Sequence, residues 1–276
     1  MPLFVSRYAC LFARVLGVIM RLISLNMWSG KLLKPLLSFF KQHAKDTDVF
    51  CLQEVWAISS EPGKVGVGIP ADMKENVFAD IQKALPDFQG YFAPAETKGY
   101  GIHAFGIALF VKKSIKISKM GEIFVFGRKN AMVCGNEREE AMTIGRNLQF
   151  IDFVHDGKEF TIAHFHGLWN GKGKTDTPDR IEQSQKAKAF LDSKHGAKII
   201  CGDFNLLPHT KSIEILEKGM VNLIKTHAIK TTRSHHYKKP EKFADYMIVS
   251  PEVKVKHFEV LQDPVSDHLP LLLDFA

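Results

Sequence analysis

The sequence predicts an α/β or α+β fold with two packed sheets. Three observations point there. Short apolar runs of strand length recur from one end of the chain to the other. A hairpin signal, Asp156-Gly157, joins two of them. Amphipathic helical stretches fall between others, so helices and strands alternate rather than segregate. With 276 residues the chain is near the upper size for one domain and short for two. Hydrophobic residues make up 45% and charged residues 24%, ordinary values for a chain that can bury its own core without staples. Cys10, Cys51, Cys134 and Cys201 are far apart and form no C-x-x-C pair. Cys51 and Cys201 lie in apolar runs, which favours reduced thiols over bridges.

Taken in order, residues 1–19 are apolar, with Arg7 and Arg14 and no acid. They read either as a targeting segment or as an upstream extension before a start at Met20. The small-residue cleavage pattern is poor, and the apolar stretch, broken by Arg14, is too short to span a bilayer. The extension is the favoured reading, and with it a cytoplasmic location; secretion or membrane targeting follows only if residues 1–19 are a signal. Residues 21–26 form a strand ending in Asn26. Residues 31–44 have helical spacing, with Leu33, Leu36, Leu37 and Phe40 on one face. Pro35 is tolerated only in a first turn, so the helix starts near Leu33. Residues 49–53 form a strand that ends in Glu54, and residues 76–85 a second helix. Strands follow at 90–92, 105–111 and 115–118. The hairpin pairs 148–154 with 160–166, residues 180–193 form a helix, and 197–201 a buried strand entering Gly202-Asp203. Strands at 243–249, 253–260 and 269–275 close the chain.

Polar stretches at 57–74, 128–146, 170–179 and 231–242 read as loops, where substrate contacts commonly sit on a rigid scaffold. The 128–146 stretch is read as a solvated connection. The 37 basic and 30 acidic residues give a formal charge of +7, which tilts towards an anionic substrate such as a phosphodiester or lipid headgroup. Lys172, Lys174 and Arg180, and the run Arg233, His235, His236, Tyr237, Lys238 and Lys239, are either substrate cations or solvated surface. Tyr100 and His103 sit in a glycine-containing stretch suited to the rim of a site.

Polar residues at the ends of apolar strands carry the chemical signal. Asn26, Glu54, His166, Asp203, Asn205, Asp267 and His268 end, follow or precede such strands, and Asp245 sits inside one. Carboxylates, amides and imidazoles there are costly unless paired or bound to a metal. Strand ends meeting at one sheet edge gather them into a pocket, and the assortment suits a hard cation.

The blocks Leu25-Asn26-Met27-Trp28, Leu52-Gln53-Glu54-Val55, Gly202-Asp203-Phe204-Asn205, Ala244-Asp245-Tyr246-Met247 and Ser266-Asp267-His268-Leu269-Pro270 stand in the order of the motifs of the endonuclease/exonuclease/phosphatase superfamily. From Met20 to the C-terminus the chain resembles that superfamily. The resemblance implies a DNase I-like fold, a four-layer α/β/β/α sandwich of two packed mixed sheets flanked by helices, with residues 20–276 as the catalytic domain. It implies a hydrolase of phosphoester bonds dependent on Mg²⁺ or Mn²⁺. Glu54 is then the main metal ligand, with Asn26 supplying a neutral oxygen and Asp267 completing the shell. Asp203 orients or deprotonates the attacking water, and the Asn205 amide donates to a phosphoryl oxygen. Asp245 fixes the tautomer of His268 and raises its basicity. His166 acts as general acid or phosphate donor. His164 departs from the family pattern, which has a small polar residue there; it either orients His166 or is a buried, hydrogen-bonded residue. Substrate contacts are expected from Arg180, Tyr100 and His164. The substrate class is a nucleic acid, a phospholipid or a small phosphodiester, and the chain is expected to be a monomer without a stable protein partner. The rival reading is a non-catalytic protein that binds a phosphate ligand on the same scaffold.

Overall fold

The computed structural model describes residues 19–58, 74, 76–98, 103–130, 144–171 and 173–276. Residues 1–18, with their alternative readings, lie outside the described residues, as do Tyr100, Lys172, Cys10, Cys134 and most of the loops at 57–74 and 128–146.

The elements run β1 (Met20–Asn26), α1 (Leu33–His43), β2 (Val49–Ile58), α2 (Val77–Ala84), β3 (Phe88–Lys98), β4 (His103–Lys112), β5 (Ile117–Phe126), β6 (Arg146–His155), β7 (Lys158–Phe165), α3 (Pro178–Asp192), β8 (Ala197–Asp203), α4 (Lys211–Glu217), β9 (Val221–Asn222), α5 (Leu223–Thr226), β10 (Asp245–Val249), β11 (Val255–Val260) and β12 (Leu271–Phe275). One six-stranded sheet has the order β11-β12-β1-β2-β4-β3 and the other β5-β6-β7-β8-β10-β9. Both are mixed, because β1–β2 and β7–β8 pair parallel while the other pairs are antiparallel. The two sheets pack face to face with helices outside, which is the sandwich implied by the sequence.

Strand alternation decides which side chain goes where. In the first sheet Met20, Leu22, Val49, Cys51, Leu109, Leu271 and Leu273 share a core with side chains of the second sheet. Their neighbours Ile23, Leu25, Phe50, Leu52, Phe110 and Leu272 face the other way and form a second core with Leu36, Phe40, Val77 and Ile81 of α1 and α2. Full burial of each such side chain contributes about 1.5–3 kcal/mol. Both faces of β1 and β2 are therefore covered, which is why these strands read as near-continuous apolar runs. Cys51 and Cys201 are buried, free thiols, in line with the sequence reading.

The Asp156-Gly157 hairpin forms as expected, with φ of 48° and 72°, the two positive values of a type I′ turn. The α3 helix starts earlier than the pattern suggests. Pro178 occupies its first position, and the Thr177 side chain caps it by accepting from Arg180 N at 3.3 Å.

The main departure concerns β2. The sequence places Glu54 at a strand end, but the strand continues to Ile58 and Glu54 sits on a bulge in its middle. Pairing with β4 shifts register between Leu52 and Val55, and Glu54 takes φ 58°. A bulge re-aims one side chain without ending the strand, and a left-handed non-glycine residue is a strained conformation that marks functional sites.

Gly202 leads into Asp203 at the end of β8 with φ 131°, and a Cβ there would lie 2.2 Å from the Phe165 carbonyl oxygen of the parallel neighbour β7. No side chain fits that approach. The Gly202→Ala substitution is expected to lower the unfolding free energy by about 1–3 kcal/mol in urea titrations. A change under about 0.5 kcal/mol would show that the close approach imposes no constraint.

Candidate active site

The site lies where strands of both sheets end. Asn26 closes β1, and Gln53 is its register partner in β2, one residue before Glu54. Asp203 closes β8 and pairs directly with Asp245, the first residue of β10. His166 follows β7, where Gly167 N donates to Asp203 O at 2.6 Å. His268 bridges to Arg233 just before β12. Below them Phe165, Phe204 and Tyr246 stack with centroid separations of 4.4 and 5.3 Å, a rigid apolar support.

The Asn26 amide joins the two sheets' carboxylates. Its Nδ2 donates to Glu54 Oε1 and to Asp203 Oδ2, at 3.0 Å each, while its Oδ1 accepts from Trp28 N at 2.9 Å. A flipped amide would set NH₂ against an N–H and oxygen against two carboxylates. This corrects the expectation that Asn26 offers an oxygen to a metal: nitrogen faces the carboxylates, and the oxygen is spent on the backbone. Glu54 also accepts from Ser29 Oγ at 3.2 Å. Burial pushes its carboxyl pKa up, and the nearby charges of Asp267 and Asp203 add to that.

Asp203 is the most surrounded charge. Its Oδ1 accepts from Asn205 N at 2.8 Å, and its Oδ2 lies 3.6 Å from both His166 Nε2 and His268 Nε2. Burial opposes ionisation, but His268, Lys174, His166 and Arg233 outweigh it and hold the carboxyl below its usual range. Asp203 is therefore held as an ionised acceptor and is a weak base.

His268 Nδ1 lies 2.8 and 2.9 Å from the two Asp245 oxygens, so the expected dyad is formed. Its Nε2 faces an Arg233 Nη1 donor, which leaves the neutral ring's proton on Nδ1, directed to Asp245. Burial disfavours the charged ring, yet Asp245 and Asp203 outweigh burial and raise its pKa. Asp267 lies 3.3 Å from Arg233 Nη1, and its Oδ1 is 3.8 Å from His268 Nε2.

His166 has the opposite electrostatics. Burial, and then the Arg146 charge, push its pKa down to about 3. Arg146 Nη1 lies 3.4 Å from His166 Nδ1. A guanidinium only donates, so Nδ1 accepts and the proton sits on Nε2, the nitrogen 3.6 Å from Asp203 and 3.9 Å from Glu54. His166 is thus a neutral N–H donor at neutral pH.

Three expectations about substrate contacts need revision. Arg180 is fully buried and donates to Leu168 O, Thr175 O and Gly173 O at 3.1, 2.5 and 2.7 Å. Its guanidinium is consumed by holding the loop after His166, so it does not face a substrate. His164 is fully buried between Gln53 Nε2 at 3.3 Å and Gln149 Oε1 at 3.0 Å, one residue from each sheet. It is the buried, hydrogen-bonded residue of the two alternatives, with a pKa lowered by burial to about 3. The Asn205 amide donates Nδ2 to Gly167 O at 3.2 Å and accepts Lys174 Nζ on Oδ1, so it is engaged within the protein. Tyr100 lies outside the described residues.

A cavity of about 340 Å³ opens over Glu54, His166, Asp203, Asp267 and His268. Its walls add residues that the sequence did not single out, the cation Arg146 and the aromatic surfaces of Trp56, Phe105 and Trp169, and take in Lys174 and Arg233, which the sequence left as either substrate cations or solvated surface. Arg146 was assigned to a solvated connection but is buried at the start of β6. The signal was available: an arginine opening the apolar strand that pairs with the His166-bearing strand. The Arg233 guanidinium packs on the Tyr237 ring, 4.0 Å from its centroid.

Glu54, Asp203 and Asp267 line the same cavity, and carboxylate oxygens of this kind suit a hard divalent cation. Asp203, Asp245 and His268 also offer atoms within 4.8 Å of one another, but there the His268–Asp245 hydrogen bond already satisfies Nδ1.

The model of the endonuclease/exonuclease/phosphatase family matches residues 23–268. The chain belongs to this family. No curated protein matches the sequence. Among solved structures, an endonuclease/exonuclease/phosphatase family protein from Bacteroides thetaiotaomicron is 19% identical, with a TM-score of 0.67 over 93% of this chain and 94% of that one. A mannosyl-6-phosphatase from the same organism is 18% identical, with a TM-score of 0.66 over 93% and 99%. TDP2 from D. rerio, complexed with a single-strand DNA product, is 15% identical, with a TM-score of 0.64 over 94% and 99%. These likenesses establish a shared fold for the endonuclease/exonuclease/phosphatase domain. Among the described residues no helix is long and apolar enough to cross a membrane.

The three imidazoles should separate by NMR. His164 and His166 are expected to stay neutral from pH 8 to 5, with His166 protonated on Nε2, while His268 gains its proton above the ordinary histidine value. Depressed groups contribute stability above their unfolded pKa of about 6.5, and it is lost as pH falls towards about 3. By pH 5 the loss is about 2 kcal/mol for each. The raised pKa of His268 works in reverse: its contribution is full below about 6.5 and fades as pH rises through the folded value. A His166 ring titrating near 6.5 would contradict the assignment.

Proposed function

We propose that the chain is a phosphoester hydrolase that depends on a divalent metal, Mg²⁺ or Mn²⁺. Membership of the family supports the reaction class. The observation that carries the reading is the meeting of Glu54, Asp203 and His268, from three separate segments and both sheets, at the floor of one cavity. A pure binding protein has no need of crowded carboxylates beside a formed Asp–His dyad.

Glu54 and Asp267 would hold the cation, which when bound neutralises charge on the phosphoryl oxygens and the leaving group. The chain's own groups do the rest. His166 donates its Nε2–H to a non-bridging oxygen. Ionised Asp203 accepts from the attacking water and fixes its direction. His268, held by Asp245, receives the water's proton once the Arg233 donor turns from Nε2 to the substrate. The cavity of about 340 Å³ is the size of small-ligand sites and suits a phosphate ester with a ring-sized leaving group against Trp56, Phe105 or Trp169. Structurally similar proteins, a mannosyl-6-phosphatase and TDP2 with a DNA product, put sugar phosphates and nucleic-acid ends on the substrate panel.

Hydrolysis of p-nitrophenyl phosphate and bis-p-nitrophenyl phosphate, sugar phosphates and single-stranded DNA with Mg²⁺ or Mn²⁺ tests the proposal. Activity is expected to vanish with a chelator, and Glu54→Gln is expected to lose about 10²–10³-fold in kcat. If wild type and Glu54→Gln are equally inert across the panel, the reading as a phosphate-binding protein replaces this one.

A further inference from the structure

We propose that Lys174 is a catalytic residue whose ammonium holds the phosphoryl group, and that the Asn205 amide positions Lys174. The proposal rests on the phosphoester reading and assigns the charge-bearing contact within it.

Lys174 lines the cavity beside Asp203, Asn205 and His166, yet only 5% of its surface is exposed. An ammonium has three donors and no acceptor role. Among the described residues one donor goes to Asn205 Oδ1, and no second acceptor takes another. Burying a charge with so few partners is costly. The cost is tolerable where Asp203 and Asp245 supply opposite charge and where an anion arrives. Burial lowers the Lys174 pKa, and these two carboxylates oppose that shift.

The Asn205 amide can face only one way. Reversal would put its NH₂ against the ammonium and its oxygen against the Gly167 carbonyl oxygen. Asn205 also has φ 55°, a strained value, with its N–H on Asp203 Oδ1 at 2.8 Å. The strain sets the amide between the Asp203 turn and Lys174.

The backbone around Lys174 is equally fixed. Arg180 holds the carbonyls of Gly173 and Thr175 on either side of it. Leu207 N donates to Lys174 O at 2.9 Å. Asp176 accepts from Lys211 N at 2.8 Å and Ser212 N at 2.9 Å, tying the loop to the start of α4. A buried arginine and a strained asparagine thus converge on one lysine at a cavity wall. A fixed ammonium on the Asn205 side of the cavity would clamp the phosphoryl group beside Asp203.

Two measurements on the full chain test this, with Lys174→Met and, in case that variant does not fold, Lys174→Gln. The first is kcat/KM on the ester that wild type cuts best, read beside Mn²⁺ affinity. A loss of at least 100-fold with Mn²⁺ affinity unchanged within threefold is expected. Activity within fivefold of wild type, or a loss matched by lost Mn²⁺ affinity, would overturn the assignment. The second is binding of inorganic phosphate in the presence of chelator, followed by ³¹P NMR. Affinity is expected to fall at least tenfold in the variant, and equal affinity would overturn the proposal. If no ester is cut even by wild type, the phosphoester reading fails on its own account, and the phosphate titration still decides what Lys174 does.

Discussion

One amide between two carboxylates sets the geometry on which the rest of this structure depends. Asn26 belongs to the first sheet and Asp203 to the second, and Glu54 stands on the bulge next to Asn26. Two buried or half-buried carboxylates would repel across that seam. An NH₂ group with two donors satisfies one oxygen of each, and the Trp28 backbone N–H locks the amide in that direction. Parity then carries the arrangement outwards. Asn26 shares its face with Met20 and Leu22, so the packing of the two sheets itself brings the amide to Asp203.

Other polar groups buried between the sheets obey the same rule. His164 is satisfied from Gln53 on one side and Gln149 on the other, and Gln149 Nε2 continues to Tyr91 O at 3.0 Å. Behind the site these neutral groups stitch the sheets together, while Glu54, Asp203 and Asp267 line the cavity. There the charges are divided by their partners. Asp203 is held ionised by the cationic and imidazole groups around it, Glu54 is made reluctant to ionise by burial and by its carboxylate neighbours, and the two imidazoles beside Asp203 are driven apart in basicity. Arg146 and Asp245 account for that last difference: one offers a donor to His166 Nδ1, the other an acceptor to His268 Nδ1.

Much of the fold, and the convergence of Glu54, His166, Asp203, Asp267 and His268 on one cavity, were legible in the sequence, because both follow from patterning. Asn26, Asp203 and Asp245 border apolar strands, and a polar residue at such a border has few places to go. The direction of each group was not legible. Glu54 and Gln53 stand between two apolar runs, and nothing local in Leu52-Gln53-Glu54-Val55 announces a bulge, which arises from pairing with β4. Arg180 reads as an available cation because sequence shows charge and not the three distant carbonyls that absorb it. His164 has the same parity as His166, yet it lies one strand step deeper, where Gln53 and Gln149 close over it. Which atom of an Asn26 or Asn205 amide faces the site depends on a backbone N–H or carbonyl contributed from elsewhere.

The central claim is that the amide of Asn26 couples the carboxylate of the second sheet to the first. A double-mutant cycle on unfolding free energy, with Asn26→Ala, Asp203→Ala and the double variant, measures that coupling most directly. The account requires a coupling of at least about 1 kcal/mol, since either single change leaves a buried partner unsatisfied. Additivity within about 0.3 kcal/mol would mean that the two sheets meet without help from this amide, and the geometry of the site would need another origin.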